Sequence, residues 1–259
     1  MVDTVVLYRA PTTAADAEEI GAWLRERLDP AVDVRVRERF LARAADGESR
    51  TDLAESFAAA RVHSPFERDT GTAMLGVVRY EERVLADPDR GGGVLYDGRA
   101  LQRALNARLS SSEAPLSTVH VALVDRAMAT WGDHDGRWHK RVNVLGQPAL
   151  VSVPGLYEAP ARPEAYYREQ GAHAMLSGDA PPREVLESVV DGDFLIDDDP
   201  RTTEALKGYV LQAVHYVETG EAFCDTDACR LADSHRQPGV VEAQLREPAF
   251  CERHAARYG

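Results

Sequence analysis

The chain has 259 residues, 44% of them apolar, which is enough to bury one sizeable core plus a smaller module and excludes disorder as the default reading. A formal net charge of -13 and a sequence pI near 5.1 argue against phosphate backbones and anionic membrane surfaces, so neither nucleic acid nor membrane is expected as a partner. The opening nine residues lack the basic start of a signal peptide and their apolar run is too short to span a bilayer, so the expected location is cytoplasmic.

Residues 5–8 read as a buried strand, and the stretch after Thr12-Thr13 carries Ile20, Trp23, Leu24 and Leu28 at helical spacing. Val32, Val34 and Val36 alternate with Asp33, Arg35 and Arg37, which predicts a half-buried second strand. Strand, helix, strand is the opening of an α/β layer. A helix is expected over 51–61, an extended region over 73–85 and a loop over 88–93. A short strand at 94–96 then leads through Asp97 into a helix over 99–109. Gly91-Gly92-Gly93 reads as a flexible turn, because no Gly-Lys-Ser/Thr follows to make a phosphate cradle.

Residues 119–124 are expected as a central strand, with 141–145 and 149–153 as a hairpin turning at Gly146-Gln147. Prolines within 155–163 forbid regular structure there, which makes that segment a candidate cleft wall. Helices are expected over 163–176 and 182–190. Asp191, Asp193, Asp197, Asp198 and Asp199 then crowd together. A cation site is one reading; the stronger is a helix start, with Asp199 as N-cap, Pro200 at the first position and the other acids at the positive end. The helix over 204–218 ends at Gly220. Leu206, Val210, Ala213, Val214 and Val217 form its core stripe, with Glu204, Leu211, His215 and Glu218 on the opposite side. Facing a cleft, that second side would aim a histidine and two carboxylates at one space; facing water, it is an ordinary polar face.

Three cysteines, all within the final 36 residues, argue against a disulfide framework and for a metal site. Their pattern is Cys224-x4-Cys229-x21-Cys251-x2-His254, a close ligand pair from each of two segments, which suits the tetrahedron that zinc prefers. His235 is the rival fourth ligand. Such a site contributes roughly 10 kcal/mol or more to a tail too small to fold by itself. Residues 221–259 are therefore read as a zinc-stapled C-terminal subdomain on a core of 1–220.

At this point the chain resembles the archaemetzincins, a family of zinc metallopeptidases, and more closely their homologues in salt-adapted archaea. In that family a helix carries His-Glu-x-x-His-x-x-Gly-x-x-His, a cysteine follows at once, another comes after four residues, and a Cys-x-x-Cys pair closes a structural zinc site. This sequence keeps Cys224-x4-Cys229 and Phe250-Cys251-Glu252-Arg253-His254, with His254 where the last cysteine would be. The match covers roughly the last 55 residues; upstream it is architectural, with residues 123–125 and 150–152 as sheet strands. Lys140 and Lys207 are the only lysines, and arginine beside an acidic excess resembles salt-adapted proteins, although a GC-rich genome produces the same bias. The implied fold is α/β, a metzincin-like mixed twisted sheet flanked by helices.

The catalytic motif is degenerate. Counting back from Cys224, Phe223 stands at the third histidine, Gly220 matches the turn glycine, and Val217, Val214 and Ala213 fall at the second histidine, the base and the first histidine. A shift of two brings His215 to the first ligand, but puts Tyr216 at the base and Thr219 at the second ligand. His215 and Glu218 remain as candidate catalytic residues, with His134, His139 or Glu158 as distant helpers. Two functions stand: a divergent metal-dependent hydrolase acting on a peptide or protein, or a non-catalytic descendant that binds one in the old cleft.

Overall fold

The computed structural model describes residues 2–11, 15–41, 48–68, 73–113, 115–190 and 192–259, so Thr12, Thr13 and Asp191 lie outside the described residues. The chain runs β1 (Thr4–Tyr8), α1 (Ala17–Arg27), β2 (Asp33–Arg37), α2 (Glu48–Ala59), α3 (Leu75–Ala86), β3 (Leu95–Asp97), α4 (Gly98–Asn106) and β4 (Thr118–Val124). Then come β5 (Ala127–Gly132), β6 (Arg137–Arg141), β7 (Asn143–Val144), β8 (Ala149–Ser152), α5 (Gly155–Glu158), α6 (Glu164–Ser177) and α7 (Arg183–Val189). The C-terminal part is α8 (Thr202–Thr219), α9 (Gln237–Leu245) and α10 (Glu252–Tyr258).

The fold is mixed α/β, with two mixed sheets flanked by helices. The larger sheet has the order β2-β1-β4-β8-β7, parallel except for β7 at one edge. A parallel strand covered on both faces reads as an unbroken apolar run, and every residue of β4 is buried. Side chains alternate across the sheet. Val5, Leu7, Val119, Val121 and Val151 pack on one side with α1 and α8, while Val6, Tyr8, Ala122, Val124 and Leu150 pack on the other with α2, α3 and α4. Cys229, Leu231, Val240, Phe250 and Tyr258 join the first of these cores, so the C-terminal segment shares its apolar interior with α1 and α8.

Several expectations are corrected. Residues 75–86 are helical, not extended: Val78, Glu81, Val84 and Leu85 are buried at helical spacing. The segment after Pro154 makes one helical turn before the later prolines end it. Pro200 does not open α8, which starts two residues later. Asp199 accepts instead from the Arg201 backbone N–H at 2.9 Å, and the Arg201 guanidinium reaches Asp199 and Asp193 at 2.9 and 2.7 Å. The cation between Asp193 and Asp199 is thus Arg201. The hairpin of β5 and β6, joined through Gly136 in the left-handed region, forms a second sheet with β3 that the sequence reading lacked. Among the described residues, no helix is long and apolar enough to cross a membrane.

Candidate functional site

α8 is buried continuously from Ala205 to His215, so the side that carries Glu204, Leu211, His215 and Glu218 is covered by other parts of the chain rather than turned to water. One flank packs on the sheet and α1, and the C-terminal segment covers the other. Glu204 pairs with Arg230 from that segment, and Glu218 with Arg257 of α10 at 2.6 Å. His215 is 2% exposed, with Nδ1 lying 3.0 Å from the Tyr258 hydroxyl. His215 and Glu218 therefore face α10, not His139 and Glu158.

The four C-terminal candidate ligands, Cys224, Cys229, Cys251 and His254, converge. Their ligand atoms all lie within 4.8 Å of one another, with Cys224 Sγ 3.8 Å from Cys251 Sγ and His254 Nδ1 3.5 and 3.3 Å from Cys229 Sγ and Cys251 Sγ. A zinc–sulfur bond of about 2.3 Å gives a tetrahedral sulfur–sulfur edge of about 3.8 Å, so the spacing fits that ion, whereas a disulfide needs sulfurs about 2.05 Å apart. The local backbone explains the convergence. Cys229 N–H closes a turn onto the Thr226 carbonyl, Cys224 N–H reaches Leu231, and Cys251 caps α10 so that His254 comes back over it one turn later. The Thr226 N–H points at Cys224 Sγ at 3.3 Å, a donor suited to a thiolate.

Electrostatics favour a cation at the centre. Burial pushes the Cys229 thiol up to about 11, so an ionised sulfur there needs positive charge beside it. At Cys251 burial works in the same direction, but the backbone donors of His254 and Arg253 and the neighbouring thiols prevail and pull the thiol below its ordinary value. Burial lowers both His254 and His215, the latter to about 4, which keeps the imidazoles neutral as ligation requires. His254 Nε2 and His215 Nε2 are both buried without a hydrogen-bond partner, and the two histidines with Glu221 form a second group whose ligand atoms lie within 4.8 Å of one another. An ion on His254 Nδ1 leaves the proton on Nε2, and the His215 ring packs edge-to-face against His254 with centroids 5.1 Å apart. His235 is outside the cluster, exposed and 3.8 Å from Asp233.

A cleft of about 1060 Å³ opens elsewhere. Its walls are β6 with the chain on to Leu145, Arg99 at the start of α4, residues 159–161, Tyr216 of α8, Phe223 and the 233–235 turn. Glu158 is held by Lys140 at 2.8 Å. His134 and His139 line the cleft, their rings stacked with centroids 5.7 Å apart and each Nε2 near an oxygen of the Asp135 carboxylate. The hydrogen bond from His139, with Arg137 adding to it, holds the Asp135 carboxyl down to about 2. Among the described residues that line the cleft, Arg99, Arg137, Lys140 and Arg141 face Asp233, with Arg137 paired to Asp135 and Lys140 to Glu158, in contrast to the chain's overall negative charge. Sequence reasoning missed this cationic wall because its members come from two separate elements. The Asp135-Gly136 turn between Trp131 and Trp138 was the available signal for the hairpin that carries most of them.

In overall shape the chain is similar to the crystal structure of archaemetzincin from Methanopyrus kandleri, at a TM-score of 0.44 and 12% identity over 98% of this chain and 92% of that one. No curated protein matches the chain. The profile of a family of unknown function, DUF7001, matches residues 6–257, and the chain belongs to that family.

Proposed function

We propose that one zinc ion held by Cys224, Cys229, Cys251 and His254 staples the C-terminal segment, and that the protein acts by binding an extended peptide or protein segment in its cleft. The orientation of α8 carries this reading. Metal-dependent hydrolysis needs three protein ligands, an open position for water and a carboxylate to take its proton. Tyr216 is what α8 offers the cleft, while His215 and Glu218 are engaged with Tyr258 and Arg257. The Cys3His set has four protein ligands, the closed arrangement of a structural site.

The cleft wall supports binding. β6 is an edge strand of its sheet, and an edge strand offers N–H and C=O groups to an incoming strand. Its Trp138 N–H is taken by the Pro65 carbonyl at 3.0 Å, which places the available stretch toward Lys140. The cations beside that stretch favour acidic segments.

The test is a random decapeptide library passed over the immobilised protein, with the eluate read by mass spectrometry. Acidic peptides should be enriched intact, and Arg141→Glu should abolish the enrichment. Cleaved products that vanish in His215→Ala would restore the hydrolase reading, and no enrichment at all would remove the binding one. His215→Phe, which keeps the ring's bulk and removes its nitrogens, should leave the cleft unaltered. Loss of the imidazole packed against His254 should weaken zinc by about 10- to 100-fold in a competition with a chromophoric chelator. An unchanged affinity would mean that His215 does nothing for the metal.

A further inference from the structure

We infer that the tip of the β5–β6 hairpin is a second metal site, in which His134, Asp135 and His139 bind one zinc-class divalent ion at the rim of the cleft. It is separate from the Cys3His centre and does not depend on the peptide-binding reading.

The three ligand atoms lie within 4.8 Å of one another. His139 Nε2 is 3.0 Å from Asp135 Oδ1, and His134 Nε2 is 3.7 Å from Oδ2. Zinc bonds to nitrogen and oxygen are about 2.0–2.2 Å, which gives ligand–ligand edges of about 3.3–3.6 Å, so small side-chain rotations close the set. The imidazole planes are within 14° of parallel, and both present Nε2 to the same carboxylate. His134 is 80% exposed and meets little resistance to swinging onto an ion.

Three further features prepare the site. A Cβ at position 132 would fall 2.5 Å from Asp135 Oδ1 and 2.7 Å from His139 Nε2, so the glycine there leaves the room that these ligand atoms occupy. Arg137 Nε donates to Asp135 Oδ2 at 2.7 Å, which orients the carboxylate and leaves Oδ1 toward His139, as an outer-shell partner does in metal sites. The hairpin is also anchored. Gly136 N–H closes the turn onto the Gly132 carbonyl at 2.9 Å, and the Trp138 indole donates to the Glu67 carbonyl at 2.9 Å. Two imidazoles and one carboxylate match the borderline donor set that zinc-class ions prefer over calcium or magnesium. Three protein ligands also leave a coordination position open on the side of the cleft that His134 and His139 line.

Equilibrium dialysis of the full-length protein against graded zinc, with bound metal measured by elemental mass spectrometry, tests the proposal. Wild type should take up a second equivalent beyond the tightly held one. His139→Ala and Asp135→Asn, both near the surface, should each weaken that second equivalent about 10-fold or more while leaving the tight equivalent and the far-ultraviolet circular dichroism unaltered. Saturation of wild type at one equivalent overturns the proposal. So does a second equivalent that survives both variants at full affinity.

Discussion

Stripping the proposed C-terminal zinc with a strong chelator is expected to detach residues 221–259 from α8 and remove a large part of the protein's stability. A structural zinc is worth about 10–16 kcal/mol in small peptides, comparable with the whole net stability of a domain at about 5–15 kcal/mol. The loss should spread inward, because Cys229, Leu231, Phe250 and Tyr258 belong to the core shared by α1 and α8. Trp23 reports it directly: its ring stacks on Phe250 with centroids 6.4 Å apart, and the Arg230 guanidinium lies 5.3 Å from its centre. Chelation, or Cys229→Ser, should therefore change Trp23 fluorescence and lower the melting temperature. It should also make the remaining thiols react with alkylating reagents from which bound metal had protected them. Thiols that alkylate at full rate in the untreated protein would mean a redox-active cluster and no zinc.

Glu81→Ala is expected to destabilise the protein by about 3–5 kcal/mol, the usual consequence of leaving a buried charge without its partner. Glu81 is 0% exposed and accepts from Tyr96 Oη at 2.9 Å, Arg61 Nε at 2.7 Å and Arg126 Nη1 at 3.0 Å. Arg126 is 6% exposed, sits over the rings of Phe57 and Tyr96, and has nowhere to carry its charge if the carboxylate is removed. At about 2–4 °C per kcal/mol for a chain of this size, the melting temperature should fall by roughly 6–20 °C. Urea unfolding provides the check, and a loss below about 1 kcal/mol would show that water relieves the exposed charges. The network joins α3 to β3 and to the turn between β4 and β5, so it also fixes the sheet whose edge strand forms the cleft wall. Peptide binding should weaken with stability in this variant even though Glu81 does not touch the cleft.

Local chemistry was legible in the residue order. The four zinc-type ligands come as two close pairs, one on a turn and one at a helix start, and a pair's geometry depends on a few bonds of nearby backbone. Thus Cys224, Cys229, Cys251 and His254 could be named without knowing the fold, and they do converge. The apolar run of β4 and the strand, helix, strand opening were readable for the same reason, since burial on both faces or on one leaves a period in the sequence.

The direction in which α8 presents His215 was not readable. A side that carries Glu204, His215 and Glu218 suits a cleft or a covering segment equally well, and the choice between them was made by Tyr258 and Arg257, more than 35 residues further on. The cationic wall of the cleft and the His134–Asp135–His139 group depended equally on tertiary pairing. Strand β6 had to fold back on β5 before an exposed, charged stretch became one side of a cavity. Short-range periodicity records whether a residue is buried; only the packing of distant segments decides what it is buried against.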